Sequence, residues 1–126
     1  MSPLVSGVDF VLLPTRDLET ASEFYGSVLG LPCSARYERA PGAEFETGSL
    51  TLQVLEVEKL GLEFHVARNP VALHVDDVAE ARSQLEAEGV QFAADTIDSG
   101  VCHMAFFNDP DGNALMLHHR YAPRDA

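Results

Sequence analysis

The chain has no tryptophan, two cysteines and eight Lys and Arg against twenty Asp and Glu, and no apolar run approaches a membrane span. Each shortage excludes something. A formal net charge of −12 repels nucleic acid phosphates and anionic lipid, so neither nucleic acid nor a membrane surface is expected as a partner. Cys33 and Cys102 fall in different halves without short metal spacing, a pattern of reduced thiols rather than of a bridge. The opening MSPLVSGVDF lacks the basic-then-apolar layout of a signal peptide, and a span would need about 20 apolar residues, so a cytoplasmic protein is expected. Without Trp, any aromatic stacking falls to Phe and Tyr. The charge itself has a plain consequence, solubility, and a sharper one, an acidic surface that draws in a cationic small molecule.

What is present is a repeat. Residues 10–31, FVLLPTRDLETASEFYGSVLGL, align with residues 70–90, PVALHVDDVAEARSQLEAEGV, when Asp17 is laid on Asp77. Each copy reads as an apolar run, an aspartate, a helix-length stretch and a Gly-apolar stop. Two copies are too few for a solenoid, so the pattern predicts a duplicated supersecondary unit within one domain of 126 residues, with a ligand in the cleft between the halves.

Residues 8–14 predict a strand, and Asp17 caps a helix whose apolar positions are Leu18, Ala21, Phe24, Tyr25, Val28 and Leu29 before Gly30 and Pro32 end it. In the second copy residues 71–75 are the strand and Asp77 the cap. Glu80 stands where a capping box would place it, and Val78, Ala81 and Leu85 form the buried stripe before Gly89. Three short extended runs follow each helix: about 34–38, 43–47 and 50–57, then about 91–96, 102–107 and 114–119. The turn-forming run Asn108-Asp109-Pro110-Asp111-Gly112-Asn113 joins the last two as a hairpin. Each half is thus β-α-β-β-β, with module one at about 8–57, a linker at about 58–69, module two at about 70–120 and a frayed tail at 122–126.

The run FYGSVLGLP after the capping aspartate, taken with FFNDPDGNALML near the C-terminus, resembles the vicinal oxygen chelate superfamily of glyoxalases, bleomycin resistance proteins and extradiol dioxygenases. The resemblance covers about residues 8–119. It implies an α+β fold in which two βαβββ modules form a cup-shaped mixed sheet, and it implies a homodimer, since the family commonly dimerises. Metal enzymes of this family take His, Glu or Gln ligands from equivalent strand positions. Those positions are here Phe10, Pro70 and Met116, with Gln53 the best match for the fourth. Phe10 has no lone pair, Pro70 no ligating side chain, and Met116 only a soft thioether, so neither a metal nor any other cofactor is expected. Lewis-acid chemistry goes with the ion.

Strand alternation, set in the register of the family positions, turns Leu12, Leu55, Ala72, His74, Ala114 and His118 towards the cup, with Cys102, Met104 and Phe106 inward on the preceding strand and His103 outward. The expected ligand-binding residues are therefore Phe10, Leu12, Gln53, Leu55, His74, Cys102, Met104, Phe106, Met116 and His118. Three functions fit. The first is a metal-independent protein that binds a small apolar or aromatic molecule, similar to the bleomycin resistance branch. The second is a small-molecule enzyme whose chemistry rests on His74, His118 or Cys102, or on a displaced metal at His74 and His118. Here Cys102 and His103 point to opposite faces, so this neighbour cannot activate this thiol. The third is a closed structural or regulatory dimer module, its Phe and Met residues filling a core.

Overall fold

The computed structural model describes residues 2–124; residues 125 and 126 of the expected frayed tail lie outside them. The chain divides into two compact units, residues 1–64 and 65–126. Each is a βαβββ module with a four-stranded mixed sheet.

In the first unit β1 (Phe10–Pro14) leads to α1 (Leu18–Glu23), followed by β2 (Cys33–Arg36), β3 (Gly42–Glu46) and β4 (Thr51–Leu55). The strand order is β1-β4-β3-β2, with β1 parallel to β4 and the other pairs antiparallel. Alternation sends Leu13, Ala43, Phe45, Leu52 and Val54 to one face, where they are buried with Leu18, Ala21, Phe24 and Tyr25. Burying each large side chain of this kind contributes about 1.5–3 kcal/mol. The rings form a small cluster: Phe24 meets Tyr25 edge-on at 5.2 Å, and Tyr25 lies 5.9 Å from Phe45.

Asp17 caps α1 as expected, its carboxylate accepting from the Thr20 N–H at 3.2 Å and the Thr20 hydroxyl at 2.9 Å. The regular helix is shorter than the apolar pattern suggests, because residues 24–28 widen into a π-helical turn closed by the Leu29 N–H on the Phe24 carbonyl at 2.9 Å. Adjacent residues of an α-helix point about 100° apart. The wider turn lets the neighbours Phe24 and Tyr25 both reach the core.

The second unit repeats the plan with β5 (Val71–His74), α2 (Val78–Ala87), β6 (Ile97–Asp98), β7 (Cys102–Asn108) and β8 (Ala114–Arg120), in the order β5-β8-β7-β6. Buried Val78 and Leu85 of α2 face a sheet whose buried residues are Ala105, Phe107, Leu115 and Leu117. Asp77 accepts from the Glu80 N–H at 3.0 Å, but the Glu80 carboxylate accepts from Gln84 Nε2 at 3.2 Å, so only half of a capping box forms. Both helices are followed by a glycine at positive φ, Gly30 at 73° and Gly89 at 92°.

The extended run expected at residues 91–96 is not a strand. Phe92 makes a single bridge to Phe107, and the ladder resumes only at Ile97. Arg82 of α2 holds the intervening chain to the helix. Its Nη1 donates to the Ala94 carbonyl at 2.9 Å and to Thr96 Oγ1 at 3.1 Å, and its guanidinium lies 4.6 Å over the Phe92 ring. Near the C-terminus the Tyr121 and Ala122 N–H groups donate to the Val101 carbonyl, so the chain is held through Ala122.

Candidate functional site

Each sheet has one face against its helix and one turned away, and the expected site residues lie mostly on the faces turned away. In module one, cross-strand register arranges that face in two rows. One runs Leu12, Gln53, Glu44, Ala35 across β1, β4, β3 and β2; the other begins Phe10, Thr51, Glu46. Both start with an apolar side chain on the outer strand and pass to polar groups. Phe10 is 52% exposed and Leu12 41%, while Gln53 and Glu44 are half-buried and Leu55 is buried.

The polar half of this face is bonded side chain to side chain. Gln53 Nε2 donates to the Tyr37 hydroxyl at 2.8 Å, and that hydroxyl donates to Glu44 Oε2 at 2.5 Å. Burial, with the Glu44 carboxylate beside it, holds the Tyr37 phenol above its usual pKa, so it stays a neutral donor at physiological pH. In the second row Glu46 accepts from Ser34 Oγ at 2.5 Å and Thr51 Oγ1 at 2.6 Å, and these two hydroxyls draw its carboxyl below the usual range. The Tyr37 ring reaches its place because residue 42 is glycine. A Cβ there would stand 2.7 Å from Leu55 Cδ1 and 2.8 Å from Tyr37 Cδ2.

The structure sets the expected Gln53, Phe10 and Leu12 on one face with Tyr37, Glu44 and Glu46, which sequence reasoning did not single out. The alternation of residues 43–47 already puts Glu44 and Glu46 on one side of their strand. Nothing in the sequence announces Tyr37, whose position depends on Gly42 across the hairpin, its N–H donating to the Gly42 carbonyl at 3.0 Å, rather than on a motif.

Module two presents a different chemistry. Its outward rows are Ala72, Met116, Phe106 and His74, His118, Met104, Ile97, followed by Arg120 beside Cys102. Met104, Phe106, Met116 and His118 are half-buried, and Cys102 is buried. The face is apolar and soft where the first is acidic. The acid–base candidates are not assembled. His74 is 69% exposed at its side chain, with Nε2 3.3 Å from Asp76 Oδ1 and its ring 5.8 Å from that of His119. His118 stands opposite Met104, and Cys102 opposite Arg120. His103 turns to Asp98, 3.4 Å from its Oδ2.

The family metal does not fit these residues. Phe10, Pro70 and Met116 offer no hard or borderline ligand, Gln53 is left as a single ligand that cannot hold an ion alone, and among the described residues no group of three or more His, Cys, Asp or Glu could hold one.

The turn-forming run NDPDGN serves the backbone instead. Asp109 Oδ1 accepts from the Asp111 and Asn113 N–H groups, both at 2.9 Å, and Oδ2 from Asn113 Nδ2 at 2.8 Å. Asn113 Oδ1 accepts from the Ala67 N–H at 2.8 Å, and the Ala114 N–H donates to the Ala67 carbonyl at 2.8 Å, which fastens the segment preceding β5 to the hairpin.

Two βαβββ modules with these turn and capping sequences define a glyoxalase-like α+β protein. Residues 7–117 match the model of the Glyoxalase/Bleomycin resistance protein/Dioxygenase superfamily, and the chain belongs to that superfamily. Among solved structures it is similar to an antibiotic binding protein from Streptomyces sp. CB03234 (22% identity, 94% of this chain and 99% of that one, TM-score 0.79). It is also similar to a lactoylglutathione lyase from Agrobacterium tumefaciens (19%, 92% and 95%, TM-score 0.77). A third is a glyoxalase/bleomycin resistance protein/dioxygenase from Nocardioides (22%, 98% and 93%, TM-score 0.72). No curated protein matches the chain. At these identities the structures share the fold.

Proposed function

We propose that this protein binds a small molecule with a flat apolar or aromatic body, without a metal, on the sheet faces turned away from the helices, the two modules acting as one glyoxalase-like domain. The observation that carries the reading is the open face of module one, where Phe10 and Leu12 stand exposed beside the bonded set Gln53, Tyr37 and Glu44. Apolar side chains with a few fixed polar groups are the usual make-up of a ligand site. Module two carries Met104, Phe106 and Met116 on its own outward face, adaptable surfaces for an irregular ligand. An antibiotic binding protein among the similar folds supports the reading, as does the net charge of −12, which favours a cationic or neutral ligand over an anion. We propose a homodimer as well: β1 and β5 each end their sheet, and an outer strand invites pairing.

A ligand that fills such a site stabilises only the folded state. At about a hundred times its dissociation constant it adds roughly 2.7 kcal/mol, which raises Tm by several degrees. A thermal-shift screen of aromatic compounds, cationic ones included, should yield such hits. Phe10→Asp and Met116→Glu should weaken them at unchanged fold, because each sets a charge against the apolar body. A varied library that leaves Tm unmoved would sink the binding function in favour of a structural module.

A further inference from the structure

Resting on that binding function, we infer that module one selects ligands that donate a hydrogen bond, because Glu44 and Tyr37 together fix which end of the Gln53 amide faces outward. The direction follows from proton counting. A carboxylate only accepts, so Tyr37, 2.5 Å from Glu44 Oε2, must spend its single hydroxyl proton there. The phenol oxygen is left with lone pairs only. The group 2.8 Å from it on Gln53 must then be the amide NH2, a donor. The Gln53 carbonyl oxygen is thereby turned away from Tyr37, on the same face and in the same row as Leu12. Burial and the carboxylate keep the phenol protonated, so the chain does not reverse near neutral pH. Gly42 maintains the geometry by leaving room for the Tyr37 ring.

A ligand whose apolar body lies over Leu12 and Phe10 therefore meets an acceptor at Gln53. A phenol, an amide N–H or an amine satisfies it; an ether or tertiary amine of the same shape leaves it unpaired. Gln53 is the reading group, and Tyr37 and Glu44 are positioning residues that act through it.

Matched neutral probes test this: naphthol against methoxynaphthalene, and naphthylamine against its N,N-dimethyl derivative, titrated by thermal shift and by calorimetry. The wild type should prefer each donor by about tenfold. Gln53→Leu should abolish the preference while the body still binds. With Glu44→Leu the phenol proton is released to the Gln53 carbonyl, the amide turns over, and the preference should vanish or invert. Equal binding of both members by the wild type, or a preference that survives Gln53→Leu, overturns the inference and leaves the binding function standing. A ligand-free arm reads the same bond. In NMR the Gln53 side-chain amide should show a slowly exchanging proton close to the Tyr37 ring, lost in Glu44→Leu, and its absence in the wild type also overturns the inference. If that proton is present and neither the naphthalenes nor the varied library bind, the binding function itself fails, and the ligand class with it.

Discussion

At the scale of single residues, Gly42 and Asn113 have the sharpest consequences. A methyl at residue 42 would sit well inside contact distance of both Leu55 and Tyr37. Leu55 can rotate away; an aromatic ring between strands has less freedom. Gly42→Ala should therefore cost about 1–3 kcal/mol in urea unfolding and, in the same protein, release the Gln53 amide from Tyr37. Asn113 is fully buried and bonds both Asp109 and the Ala67 N–H. Asn113→Ala should cost about 3 kcal/mol, from donor and acceptor losses at one buried site, with hydrogen exchange at Ala67 as the local readout. Of these two residues only Asn113 was legible in the sequence, because turn formers mark a loop by composition. Gly42 reads as an ordinary loop glycine until the strands on either side are paired.

At the scale of elements, the first turn of α1 depends on a carboxylate from another strand's end. The Leu18 N–H donates to Glu56 Oε1 at 2.8 Å, and Lys59 Nζ lies 2.5 Å from Oε2. Glu56 is only 8% exposed, and Lys59 with the Leu18 N–H draws its pKa below the ordinary 4.5. A carboxyl lowered by folding stabilises the protein above its unfolded pKa and loses that contribution as pH falls through the folded one. Glu56→Gln should then destabilise by about 1–2 kcal/mol at neutral pH, and the gap to wild type should close as pH falls through the lowered Glu56 pKa, below the ordinary 4.5. Denaturant titration at both pH values measures it. The helix caps were legible because Asp17 and Asp77 act within three residues of themselves. The Glu56 bond spans 38 residues and was not. The same limit explains the strand expected at residues 91–96, where Arg82 from the preceding helix captures the backbone that β-propensity alone assigned to the sheet.

At the scale of the molecule, protein purified without chelators should carry no stoichiometric Zn, Ni, Fe, Mn or Mg by elemental analysis. It should also show no lyase activity on glutathione hemithioacetal and no cleavage of catechols when metal is added. The reason lies in the ligand positions themselves, Phe10, Pro70 and Met116, rather than in any missing ion. One metal per chain, lost in His74→Ala, would contradict it. The two-module plan was readable because it is written twice, at a spacing that composition cannot mimic. The chemistry of the faces was half readable: apolar positions follow from alternation, but which polar groups touch depends on register between strands that are distant in sequence.

That separation of faces has a consequence for change. Residues 10, 12, 44 and 53 stand on one side of the first sheet, and Leu13, Phe45, Leu52 and Val54, which hold α1, stand on the other. An exchange among the first group leaves the second untouched, and substitutions away from a core usually cost little stability. If module one binds ligand as proposed, new ligand preferences would therefore be accessible on that face by single steps from a chain that still folds.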